Sequence, residues 1–100
     1  MVNHVVMWNF KEGLSEAERN EAGKTIRQKL EAVKDVAEGV LHLEVRMNTF
    51  PSSNRDIALF CEFESEEALQ AYQIHPVLLQ AREYAKSVTC DRICFDSCAE

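Results

Sequence analysis

The stretch Val2 to Phe10 alternates as a β-strand does, yet it is apolar on both sides. His4, Val6, Trp8 and Phe10 share one face, and Val5 and Met7 lie on the other. Asp56 to Phe63 repeats the pattern, with Ile57, Leu59, Cys61 and Phe63 on one face and Ala58 and Phe60 on the other. Strands of this kind must be covered on both faces. A fold that lays helices on one side of a sheet leaves the second side exposed.

The remaining segments set the order. Lys11 to Leu14 is a short loop. Ser15-Glu16-Ala17-Glu18 is a capping box that opens a helix. Ala22, Ile26, Leu30, Val33 and Ala37 follow the helical period, and Gly39 supplies the stop. Val40 to Asn48 reads as a second strand, with Leu41, Leu43, Val45 and Met47 on one face and His42, Glu44 and Arg46 on a polar one. Thr49 to Arg55 is a loop and a candidate cover for a pocket mouth.

Ser65 caps another helix, with Glu66 and Glu67 at its positive end. That helix carries Leu69 and Tyr72 and breaks at His75-Pro76, where proline opens a new segment bearing Leu78, Ala81, Ala85 and Val88. Thr89 to Ser97 is the last strand. The order βαββαβ predicts a single α+β domain over residues 1–100 with a ferredoxin-like, four-stranded antiparallel sheet and its helices on one face. Leaving the other face wet would expose more apolar area than monomers usually tolerate. A second copy packed sheet to sheet, at about 10 Å, covers it. The expected state is therefore a homodimer.

Composition excludes several functions. The net charge is -6, and Lys24, Arg27 and Lys29 lie among acids, so nucleic-acid binding is not expected. No apolar run approaches the roughly 20 residues of a membrane span. The start lacks the basic segment and long apolar stretch of a signal peptide, so a cytoplasmic location and reduced thiols are expected. Cys90, Cys94 and Cys98 are evenly spaced, but as a strand their ends lie about 26 Å apart, too far for one ion. No metal and no cofactor are expected. There is no phosphate-binding glycine loop, no serine nucleophile elbow and no HExxH.

Several pieces, in order, resemble one family. They are Val2-Asn3-His4-Val5-Val6-Met7-Trp8-Asn9-Phe10-Lys11, Gly13-Leu14-Ser15-Glu16-Ala17-Glu18, Leu43-Glu44-Val45 and Asp56-Ile57-Ala58-Leu59. Phe63-Glu64-Ser65, Ala68-Leu69, Ala71-Tyr72-Gln73, His75-Pro76 and Phe95-Asp96 complete the set. Over nearly the whole chain this resembles the stress-responsive α/β-barrel (Dabb) domains. The resemblance implies a dimeric α/β barrel and says little about activity.

Some plant relatives are polyketide cyclases that close an aromatic ring by an aldol step between sheet and helices. The resemblance carries their site onto His4, Tyr72 and Asp96. Their second histidine, the general base, falls on Leu78, which cannot take a proton.

The candidate ligand-binding residues are His4, Trp8, Tyr72, His75, Leu78, Cys94 and Asp96, with His4, Tyr72 and Asp96 as catalytic candidates. Each also has a structural reading. His4 is a buried histidine in need of a partner, His75 is a cap between helical segments, and Tyr72 is core with its hydroxyl at the rim. Asp96 is a solvated strand carboxylate, Trp8 is core, and Cys94 is an ordinary thiol. Three functions compete: a stress-associated dimer binding a small apolar ligand, an enzyme on a small carbonyl or polyketide-like substrate, and, by analogy of fold, a monooxygenase.

Overall fold

A computed structural model of the chain describes residues 1–98. Its elements are β1 (Val2–Phe10), α1 (Glu16–Glu31), a 3-10 turn (Ala32–Asp35), β2 (Val40–Met47), β3 (Ile57–Phe63), α2 (Glu66–Gln73), α3 (Pro76–Val88) and β4 (Thr89–Cys98). The antiparallel sheet has the order β2-β3-β1-β4. This is the ferredoxin-like arrangement, and it puts the two-faced apolar strands β1 and β3 in the middle.

Local signals set the helix ends. The Ser15 Oγ accepts from the Glu18 N–H at 3.1 Å, and the Glu18 carboxylate accepts from the Ser15 N–H at 2.9 Å. Such a cap contributes about 1 kcal/mol. The Ser65 Oγ accepts from the Ala68 N–H at 3.1 Å to start α2.

The first helix ends earlier than its apolar period predicts. At Ala32 it tightens into the 3-10 turn, which still buries Val33 completely. Gly39, at φ 77°, makes the turn into β2 rather than ending α1. Inside α1, Gly23 lets the helix lie against β2, because a Cβ there would sit 2.0 Å from the Met47 sulfur.

The core lies between the helices and one face of the sheet. It includes Val6, Trp8, Ile26, Leu30, Leu59, Phe63, Tyr72 and Leu78. The face expected for Leu41 is wrong. The register shifts between Val40 and His42, and Leu41 turns outward while Leu43 and Val45 stay buried.

The opposite sheet face carries no helix. Val5, Met7, Ala58 and Phe60 lie half-buried on it, with Ile93 at 45% and Phe95 at 68% exposure. Among the described residues no helix is long and apolar enough to cross a membrane.

Candidate functional site

The helix-facing side of β1 meets α3 and the edge strand β4 around one cavity. It is lined by His4, Val6, Trp8, Leu30, Leu59, Tyr72, Leu78, Arg82, Ala85, Lys86 and Arg92. Its volume is ≈ 80 Å³. An engineered apolar cavity of about 150 Å³ takes up benzene, so only a short chain or part of a ring fits at depth here.

His4 is placed by strand alternation on the helix-facing side of β1 and is 1% exposed. A buried imidazole needs a partner. It finds one across the β1–β4 ladder, where His4 stands opposite Asp96 and its Nδ1 bonds the Asp96 carboxylate. With Nδ1 taken, Nε2 is the nitrogen left for a ligand. The ring stands edge-on to Tyr72 and Phe63, with centroids at 6.0 and 6.4 Å.

Tyr72 reaches the cavity because Ser65 starts α2 and the apolar period turns Leu69 and Tyr72 inward. It is 1% exposed, and its hydroxyl lies by the Cys61 thiol without the geometry of a full hydrogen bond. A buried hydroxyl left unpaired costs about 1–3 kcal/mol. Burial, then the nearby Cys61 thiol, hold the phenol well above its ordinary pKa, while Arg82 and Arg92 pull the other way. Burial likewise pushes the Cys61 thiol up to about 12.

Cys94 and Asp96 lie on β4 beyond the cover of the helices, and both are exposed. The Cys94 Sγ is 3.8 Å from the His4 Nδ1 and 3.8 Å from the Asp96 Oδ1. Desolvation and the Asp96 carboxylate raise its thiol, with Arg92 opposing, so it is no activated nucleophile. The potential ligand atoms of His4, Cys94 and Asp96 lie within 4.8 Å of one another. A cation there would have to displace the proton shared by His4 and Asp96.

The fold thus brings His4, Trp8, Tyr72 and Leu78 together on one cavity, while Asp96 and Cys94 touch His4 without lining it. His75 is not part of it. Its Nδ1 accepts from the Val77 N–H at 3.1 Å, capping α3, and Pro76 occupies the first helical position. The loop Thr49–Arg55 is no cover for this cavity either, since its residues border a hollow on the open sheet side, with Met7, Ala58 and Phe60. Sequence reasoning missed the apolar lining residues Val6, Leu30, Leu59 and Ala85 and the cations Arg82, Lys86 and Arg92. A signal for two of the cations was present, because Leu78, Arg82 and Lys86 form one row at four-residue spacing on α3.

A family model, the Stress Responsive A/B Barrel Domain, matches residues 2–99. No curated protein matches the chain. Among solved structures, a dimeric protein of unknown function and ferredoxin-like fold from Bacteroides fragilis superposes with a TM-score of 0.89 at 23% identity, over 96% of this chain and 93% of that one. A Dabb family protein from Mesorhizobium loti superposes with a TM-score of 0.74 at 17% identity, over 99% and 96%. The hydroxynitrile lyase of Passiflora edulis does so with a TM-score of 0.80 at 13% identity, over 99% and 93%.

Proposed function

The chain belongs to the stress responsive A/B barrel domain family, and from that premise we propose that it works as a homodimer whose cavity binds a small, largely apolar molecule with one oxygen-bearing polar group. The observation that carries this reading is the Tyr72 hydroxyl, buried and without a full hydrogen bond, on a residue that lines the cavity together with His4. A ligand oxygen offers the missing acceptor, while Val6, Trp8, Leu59 and Leu78 take the apolar part. The homodimer reading is supported by the uncovered face with Phe60, Ile93 and Phe95, and by the dimeric relative from Bacteroides fragilis.

Trp8 is the single tryptophan and lines the cavity, so its emission reports binding. Titration with a panel of small alcohols, ketones and aldehydes should give saturable changes that weaken in Tyr72→Phe. Uniformly absent binding would remove the ligand reading.

A second reading is favoured by the His4–Asp96 pair. Asp96 orients the ring and stabilises it when protonated, so His4 Nε2 can exchange a proton with a bound molecule while the Tyr72 hydroxyl polarises a carbonyl. The hydroxynitrile lyase lends this support by fold alone. Leu78 adds only an apolar wall, so the cyclase arrangement with a second histidine does not apply. Tyr72→Phe should then lower turnover of a carbonyl substrate without lowering stability.

A further inference from the structure

Three of the eleven basic residues of this acidic chain line one cavity. Arg82 and Lys86 come from α3, one helical turn apart, and Arg92 comes from β4. Like charges at this helical spacing repel by a few tenths of a kcal/mol. Arg19 pairs with Asp56 at 3.2 Å and Arg46 with Glu44 at 2.9 Å, while Lys11, Lys24, Lys29, Lys34 and Arg55 are, among the described residues, without an ion pair, so what sets Arg82, Lys86 and Arg92 apart is their convergence on one cavity. Among the described residues, Arg82, Lys86 and Arg92 make no ion pair. Arg82 reaches only the Gln73 carbonyl, at 3.4 Å. Glu83 lies beside them on α3 without pairing, and Asp96 is bonded to His4.

The cavity depth is otherwise apolar, formed by Val6, Trp8, Leu30, Leu59 and Leu78. Its small volume lets a short hydrocarbon part enter and leaves the remainder among the cations.

The geometry points to a short organic acid as the ligand: an apolar body in the cavity and a carboxylate held among Arg82, Lys86 and Arg92. Guanidinium groups bind carboxylates through paired, charge-assisted hydrogen bonds, which gives the choice of anion a physical basis. This assignment rests on the cavity being a ligand site and adds the class of ligand.

The test uses a matched pair of probes, hexanoate and 1-hexanol, titrated into the full chain at low salt and followed by Trp8 emission. Hexanoate should bind roughly tenfold tighter than 1-hexanol, as charge-assisted bonds predict, and added salt should narrow the gap. Lys86→Gln with Arg92→Gln changes two exposed side chains and should abolish the preference for hexanoate over 1-hexanol. Arg82→Gln should reduce the preference in its own right. Equal affinity for the two probes, or a preference that survives all these changes, would overturn the carboxylate assignment alone. If neither probe binds, the ligand-site reading falls with it.

Discussion

The Nδ1 of His4 is hydrogen-bonded to the carboxylate of Asp96, its direct opposite in the β1–β4 ladder. The His4 side chain is 2% exposed and that of Asp96 is 39% exposed. The pair thus links the closed interior to the open edge of the sheet. Asp96→Ala leaves a buried ring nitrogen unmatched and should cost about 1–3 kcal/mol. Asp96→Asn keeps a hydrogen-bonding group and should cost less. Urea unfolding of the two variants checks the ranking, and an Asp96→Ala protein as stable as wild type would show that the bond carries no weight.

Tyr72 should behave in the opposite way. Its hydroxyl is buried without a full hydrogen bond, so Tyr72→Phe removes a cost and keeps the packing against Phe63, whose ring centroid is 4.9 Å away. Stability should hold or rise by about 1 kcal/mol, while ligand binding weakens. A fall in thermal stability would mean that the hydroxyl is structural.

Cys61 gives a pH dependence. Its folded pKa is raised to about 12, mainly by burial, so the folded state prefers the neutral thiol. The unfolded chain ionises near the ordinary value of about 8.5. The stabilisation is therefore complete below that value and is lost as pH rises from there through about 12. Denaturation should become easier over this window, and less so in Cys61→Ala. In the folded protein at mildly alkaline pH, Cys61 should be alkylated after Cys98, as peptide mass spectrometry would show. Prompt modification of Cys61 would count against its burial.

Phe95 and Phe60 should hold two copies together. Phe95→Asp puts a charge on the open sheet face without touching the core, since Phe95 is 68% exposed. The variant should run as a monomer in size-exclusion chromatography at concentrations where the parent is a dimer. A wild-type monomer, or a dimer indifferent to this change, would contradict the sheet-to-sheet packing.

Much of this fold is legible in the sequence because alternation, caps and proline act locally. Val2–Phe10, the Ser15 and Ser65 caps and the break at His75-Pro76 all fall where local rules put them. Leu41 and the end of α1 do not, because a register shift and a 3-10 turn depend on neighbouring elements rather than on their own residues. The site was legible in part. Strand parity puts Asp96 and His4 on definite faces, but only the β1–β4 register brings them into contact. Alternation puts Arg92 on the strand parity of Cys94 and Asp96, but that it shares a cavity with Arg82 and Lys86 is a tertiary fact.

A ligand in the space between His4, Trp8, Tyr72 and Leu78 is open to direct observation. The most direct measurement is an assigned amide NMR titration with hexanoate, on the wild type and on Ala85→Leu, which adds bulk to the cavity wall. The account predicts saturable shifts centred on β1, α3 and the neighbouring part of β4 in the wild type, and their loss in Ala85→Leu. Shifts confined to the open sheet face, no saturable shifts at all, or an unchanged response in Ala85→Leu would contradict it.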